Sequence, residues 1–431
     1  MKQKVLFIAP LPPPVHGSAM VSQYIKDSRV VNEAFDCDFV NLSTSRSMEE
    51  IGKGGIKKLF RFLASYLIVL WKLITHRYSL CYLAITCHGM GFLKDAPFVL
   101  LCKLFCRKVV LHQHNKGLSR DVARCPYRWL MPLVYRNTTV MLLSWHLYED
   151  VASVVKREQV VVCANGVPPI INENENEDEN ENVDDAKQNY LTQTSQNLQG
   201  AELNVERLMF NEGSQRLNVD ENLSQSDFHR SEAQFSSSLS SSLEPSVPRL
   251  LFLSNLIESK GIYVLLEACR MLKEEGIVFQ CDYVGGESKL ISGESFRNAI
   301  AERGLTDCVT YHGPQYGAAK DRFFRGADIF VQPTFDDCFP LTLVEAMQYR
   351  LPIVSTDVGA IPDIVTDGVN GFVCPQRDVD ALAVALRKLI GDRQLRVAMG
   401  QRGYELYRER MTLEVFEMRF TGLLKGIVGN G

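Results

Sequence analysis

The sequence predicts two doubly wound α/β domains facing each other across a cleft, with a disordered insertion between them. Three observations carry the prediction. The chain has 431 residues at 46% hydrophobic content, more than one core accommodates. Short β-branched runs alternate with helical patterns in both outer thirds, the signature of βαβ units and parallel sheets. The segment between them has a composition that cannot bury a core. The twelve cysteines show neither CxxC pairs nor zinc spacing, as in a reducing compartment where thiols act as small hydrophobes, so the cytoplasm is the expected location.

The first domain is expected over residues 1–170. It opens on MKQKVLFIAPL, whose apolar run of about six residues ends in prolines and reads as a strand, short of a signal-peptide core. VLFIA, FDCDFVNL, LCYLAI, KVVLHQH and TVMLLS are its strands. It holds 22 Lys and Arg against 11 Asp and Glu, a balance that points to an anionic partner. In GIKKLFRFLASYLIVLWKLITHRYSL, apolar residues are mixed with Lys57, Lys58, Arg61, Lys72 and Arg77, as in a basic amphipathic helix able to lie on an anionic membrane surface. The same charges interrupt any apolar run of roughly 18 residues, so it should not span a bilayer. The plainer alternative is a helix of the core.

The insertion is expected over residues 171–247, with 4 basic residues against 16 acidic ones, beginning INENENEDENENVDD and ending among SSSLSSSLEPSVP. So few large apolar residues cannot offset the entropy of ordering, although AELNVERLMF could form a transient amphipathic patch. The second domain follows over residues 248–431, its last helix reaching back to the first. PRLLFLSN, FQCDYVGG, CVTYHG, ADIFVQP and LPIVSTD are its strands.

Ligands of such sheets sit beyond the carboxyl ends of the strands. There the chain offers Gly17 with Ser18 as a helix cap, His114 and Asn115 after KVVLHQ, and Lys260 with Gly261 before an amphipathic helix. A lysine beside a helix start adds its charge to free amides and the dipole, which makes a phosphate site. Singly each is weak, since a lone Lys-Gly is also a solvated turn and a strand-end histidine is more often structural. FDDCFPLTLVEAM, residues 335–347, adds two carboxylates, with Asp337 expected in a loop and Glu345 in the first turn of the next helix. Thr342 and Glu345 also fit a capping box, which would make the glutamate structural. Otherwise a helix start, apolar residues and two acids suit a sugar nucleotide, with pyrophosphate at the helix and carboxylates on hydroxyls.

DDCFPLTLVEAMQYRLPIVSTDVGAIPDIVTDGVNGFV closely resembles the E-x(7)-E region of family-four retaining glycosyltransferases, the group 1 glycosyltransferases. SKG at 259–261, NGVP at 165–168, the glycine loop near Gly17 and HG at 312–313 extend the resemblance, strongly in the second domain and loosely in the first. It implies two facing Rossmann-like domains, the GT-B fold, and transfer of a sugar from a nucleotide-sugar donor to a glycan or lipid-linked acceptor. Configuration would be retained, without metal or cofactor, and nucleic acid is not an expected partner. By the same resemblance Lys260 meets the donor phosphates, Glu345 the ribose, and Asp337 and His114 the transferred sugar. The backbone of Phe339, Pro340, Leu341 and Thr342 borders donor sugar and phosphate, Gly17 passes the diphosphate, and Gly313 belongs to the same set. His112, inside the strand pattern, is the weaker histidine. Two positions depart from the family: Asn255 stands where an arginine is usual and Asp337 where a glutamate is usual. Rival readings are a dinucleotide oxidoreductase, which lacks its GxGxxG, a DxD metal enzyme through DCD at 36–38, a noncatalytic sugar-nucleotide scaffold, and an epimerase.

Overall fold

A computed structural model describes residues 2–13, 17–43, 56–170 and 247–429. The predicted insertion, including AELNVERLMF, therefore lies outside the described residues except for Val247. The first sheet contains β1 (Gln3–Ala9), β2 (Phe35–Asn41), β3 (Leu80–Ile85), β4 (Val109–Gln113), β5 (Thr139–Leu142) and β6 (Val160–Val162), in the spatial order β2-β1-β3-β4-β5-β6. The second contains β7 (Arg249–Leu253), β8 (Gln280–Val284), β9 (Val309–Tyr311), β10 (Ile329–Val331), β11 (Ile353–Thr356) and β12 (Gly371–Cys374), ordered β12-β11-β10-β7-β8-β9. All ten strand pairings are parallel.

Successive residues bury on opposite faces, as helices on both sides of a parallel sheet require. In β1, Leu6 and Ile8 enter one core while Val5, Phe7 and Ala9 enter another. Each sheet has one strand beyond the five expected. β6 and β12 are three- and four-residue edge strands, and β12 opens on a glycine, too little for a β-branched run to stand out. ADIFVQP shortens to Ile329–Val331, because Gln332 and Pro333 leave the ladder to begin the loop that carries Asp337.

The last helix, Leu413–Gly429, belongs by packing to the first domain. Phe416, Phe420 and Leu424 join Phe7 and Tyr82 in one core, with the Phe420 ring 5.3 Å from that of Tyr82. Lys108 donates from its ammonium to the carbonyls of Ile427 and Val428, both at 2.8 Å, which neutralises the negative end of the helix. The crossing is clamped where Val167 gives its amide to Met411 O and takes that of Leu413, both at 3.0 Å.

The basic amphipathic stretch forms a helix over Ile56–Thr75. Val69 and Leu73 are buried, and Phe62 and Tyr66 pack against Phe98. The opposite stripe, Ile56, Leu59, Phe60, Leu63, Leu67, Trp71 and Ile74, faces solvent, with Trp71 still 60% exposed. A helix of the core would not leave that stripe open. Among the described residues no helix is long and apolar enough to cross a membrane.

Candidate active site

In a doubly wound sheet the crevice opens where the strand order reverses. In the second sheet this point lies between β7 and β10, paired through Leu250–Ile329 and Leu251–Phe330. The chain leaving β7 makes a 3-10 turn, Glu258–Lys260, and the chain leaving β10 makes the loop to Asp337, so the two meet. Gly261 must be glycine: its φ is +81° and a Cβ would lie 2.0 Å from the carbonyl oxygen of Pro333. That close approach brings the Lys260 ammonium to 2.5 Å from Asp337 Oδ2, both side chains mostly buried. Gln332 Nε2 donates to the same oxygen at 3.3 Å, and the Cys338 amide to Oδ1 at 2.9 Å. Thr342 in turn donates its hydroxyl to Gln332 Oε1 at 2.8 Å. Gly359, φ +59°, seats the loop from below, since a Cβ there would stand 2.5 Å from the Asp337 carbonyl oxygen.

The first domain supplies the facing wall. A cavity of about 260 Å³ is bounded by Gly17, Thr86, His114 and Asn165 on one side and by Asp337, Phe339 and Leu341 on the other. Gly17 begins the helix Gly17–Asp27, Leu341 begins the helix Leu341–Gln348, and a Cβ on Gly17 would sit 3.8 Å from Leu341 Cδ1. Two positive helix ends thus converge on one space, an arrangement suited to a diphosphate. Asn165, 3% exposed, buries a side-chain oxygen without a partner among the described residues. Behind His114 lies His112, fully buried, with its ring centroid 4.0 Å from that of His114 and its Nδ1 2.6 Å from the Tyr82 hydroxyl. Burial first and the neighbouring His114 second push the His112 pKa well below the usual imidazole value, so it stays neutral.

Of the residues singled out in the sequence, Gly17, His114, Asp337, Phe339 and Leu341 line this cavity, Lys260 joins through its ion pair, and Thr342 through Gln332. Pro340 precedes the helix start without capping it by a side chain. Glu345 falls in the second turn, because the helix begins at Leu341, and the capping-box alternative fails: Thr342 bonds Gln332, and Glu345 Oε1 pairs with Lys320 at 2.8 Å. Burial, with Glu345's charge adding to it, raises the pKa of Tyr24 on the helix Gly17–Asp27, so this carboxylate's field reaches the first domain. Asn255 and Gly313 lie outside the cavity lining. Asn255 Oδ1 accepts the Gly286 amide at 3.1 Å and Gly313 O accepts that of Gly285 at 2.9 Å, so the two brace the turn after β8. The DCD aspartates are spent elsewhere, Asp36 on Lys4 at 3.1 Å and Asp38 on Lys72 at 3.0 Å. Among the described residues no group of three or more His, Cys, Asp or Glu is placed to hold a metal ion. Gln332, Lys320 and Asn165 were not singled out as site residues. Only Asn165 carried a sequence signal, as the first residue of NGVP.

Residues 240–406 match the family described as glycosyl transferases group 1, a span that contains Lys260, Asp337 and Glu345. Over this span the chain is similar to the group 1 glycosyl transferases. Similar proteins include the amylovoran biosynthesis glycosyltransferase AmsK of Erwinia amylovora, 34% identical over 148 residues, covering 33% of this chain and 35% of that protein. The putative colanic acid biosynthesis glycosyltransferase WcaL of Salmonella typhimurium is 31% identical over 152 residues, 33% of this chain and 36% of its own. The alignments thus span about a third of the length of these curated relatives. The solved sucrose-phosphate synthase of Thermosynechococcus elongatus has the same fold over 100% of both chains at TM-score 0.66 and 16% identity. Anabaena HepE in complex with UDP matches over 98% of this chain and 100% of its own at TM-score 0.63 and 15% identity. Around the matched span the described chain therefore has a GT-B-like architecture of two Rossmann-like domains.

Proposed function

We propose that this protein is a retaining, metal-independent glycosyltransferase that moves a sugar from a nucleotide donor to a glycan or lipid-linked acceptor in surface polysaccharide synthesis. The observation that carries the reading is the Lys260–Asp337 pair at 2.5 Å, set at the reversal point of one sheet and facing Gly17 and His114 of the other. The names of the relatives, amylovoran and colanic acid biosynthesis, support the product class, and HepE's UDP supports a uridine donor.

In this reading the donor diphosphate lies between the two helix starts with Lys260 beside it, while Asp337 and His114 hold the sugar and Glu345 the ribose. The sugar–oxygen bond to the diphosphate breaks as positive charge grows on the ring, and the leaving oxygens are stabilised by Lys260 and the helix amides. The acceptor hydroxyl attacks the same face, its proton passes to the departing phosphate oxygen, and no protein nucleophile is needed. Lys260 already serves Asp337, so phosphate binding shares or redirects its three donors.

The exposed stripe of the helix Ile56–Thr75, flanked by Lys58 and Arg61 on a domain with 22 basic against 11 acidic residues, suits peripheral contact with an anionic membrane. Vesicles of anionic lipid should pull the protein down at low salt and release part of it as salt rises. The transfer reading is tested by incubating the protein with uridine-, guanosine- and thymidine-linked sugars. A true donor at 100 times its dissociation constant raises stability by about 2.7 kcal/mol. Transfer of that sugar, retained in configuration and unaffected by chelator, is expected. Stabilisation by no nucleotide sugar overturns the reading.

A further inference from the structure

A second cavity, of about 450 Å³, opens on the same two loops as the first yet shares no lining residue with it: His114, Asn115 and Asp337 line one, Lys116, Gly117 and Asp336 the other. Nothing in the donor scheme uses it. Its charge is what sets it apart. Lys116 and Arg120 enter from the first domain and Arg377 from the second.

The two carboxylates present are already committed. Asp150 accepts the amides of Gly117, Leu118 and Ser119 at 2.8, 3.0 and 3.1 Å and the Ser119 hydroxyl at 2.6 Å, so its charge is spent on the start of the short helix Leu118–Asp121. Asp336 meets Lys116 at 3.4 Å, one long contact for an ammonium with three donors. Among the described residues neither Arg120 nor Arg377 has a carboxylate within ion-pair distance. Arg377 instead stacks on the Phe335 ring at 4.1 Å, which leaves the edge of its guanidinium open, and it sits at φ +61°, a backbone setting side-chain-bearing residues seldom adopt. Two guanidinium forks and an ammonium around one space, with its acids engaged, match a tetrahedral dianion better than a neutral hydroxyl or a cation.

We propose that this cavity binds a phosphate group of the acceptor, so that the acceptor is a phosphorylated one presented beside the donor sugar. The proposal rests on the glycosyl-transfer reading for the word acceptor, but the phosphate site stands on its own residues. The phosphate can belong to a lipid carrier or to a soluble phosphorylated sugar, and recognition by Arg120, Arg377 and Lys116 is the same for both.

The test is calorimetric titration of inorganic pyrophosphate into protein saturated with UDP, for the parent and for Arg120→Gln/Arg377→Gln. The parent should bind one equivalent with UDP in place. The double variant should lose about tenfold per guanidinium removed while its UDP affinity and melting transition stay at parental values. Arg120→Lys/Arg377→Lys should recover part of the binding, since charge is kept and the fork is lost. Glucose 1-phosphate and a polyprenyl diphosphate in detergent micelles then separate the sources: the parent-to-variant difference appears with whichever carries the native group. Displacement of UDP by pyrophosphate, or equal binding by parent and Gln variant, overturns the proposal. Failure of UDP itself to bind would count against the donor reading alone, because pyrophosphate would still report on the arginines.

Discussion

In the second domain Asp337 is held by Lys260 at 2.5 Å, Gln332 at 3.3 Å and the Cys338 amide at 2.9 Å. On the facing wall of the same cavity, Asn165 buries an oxygen that meets no donor among the described residues. The second-domain wall is organised before ligand arrives, so in the proposed reaction its groups would need little rearrangement as charge develops. The first-domain wall keeps a desolvated polar atom that meets no donor among the described residues and is open to one from what binds, and this is also the domain in which the sequence resembles its family only loosely. A protein that shares donor chemistry with many relatives but differs in acceptor would be built in this way.

The comparison breaks first at Lys260. Lys260→Ala should lower transfer about 100- to 1000-fold with the melting transition kept, the loss expected when a preorganised electrostatic contact is removed. Asp337→Asn should also lower transfer strongly while nucleoside diphosphate affinity changes little. The double variant should lose less than the product of the two, because each single change already disrupts the same pair. Turnover near the parental rate for Lys260→Ala would mean that the donor-side wall is structural only.

Glu345→Gln gives the next effect, about tenfold weaker nucleotide binding measured by calorimetry, with a smaller change in the rate at saturation. Its pairing with Lys320 at 2.8 Å leaves the second carboxylate oxygen for a ribose. If transfer at saturating donor falls as far as for Asp337→Asn, Glu345 acts on the sugar and the division of labour is wrong.

His112 provides a pH handle on the first-domain wall. Its folded-state pKa lies below the unfolded value of about 6.5, so the unfolded chain takes up the proton first. The stability it contributes is complete above that value and falls with decreasing pH, at no more than about 1.4 kcal/mol per unit. Denaturation midpoints at pH 7 and pH 5 should therefore differ less in His112→Gln than in the parent. Equal slopes would show that other groups govern the acid limb.

The smallest stability effect is expected at Asn165. Asn165→Ala removes an oxygen without a partner among the described residues, so the melting temperature should stay within about one degree or rise slightly, because no hydrogen bond among them is lost. Transfer should nevertheless fall, by about tenfold, through the loss of a ligand contact. A large drop in stability with unchanged transfer would place Asn165 in the crossing of the last helix, next to Val167 and Leu413, instead of in the site.

Much of this was legible along the chain. Ten of the twelve strands among the described residues announce themselves as β-branched runs, and Lys260 with Asp337 stand out as chemistry placed just after strands. Asn255, which the resemblance sets at the place of a usual arginine, has its side-chain oxygen engaged by the Gly286 amide in the turn after β8, a contact the sequence did not show. Glu345 misled in part, because Thr342 at the right spacing for a cap finds a stronger partner in buried Gln332.

By itself the sequence determined which segments become strands and helices, since those follow from periodicities of two and 3.6 residues within a few turns of chain. It also determined where glycine is compulsory and which residue types could do donor chemistry. Only the tertiary structure decided that Lys260 and Asp337, 77 positions apart, share a proton-donor contact, and that Lys320 claims Glu345. It also decided that Arg120 and Arg377 face one space and that the helix Ile56–Thr75 turns an apolar stripe outward. The reason is that such pairings depend on strand order and on the reversal point between β7 and β10, which long-range packing selects and which no local pattern of residues encodes.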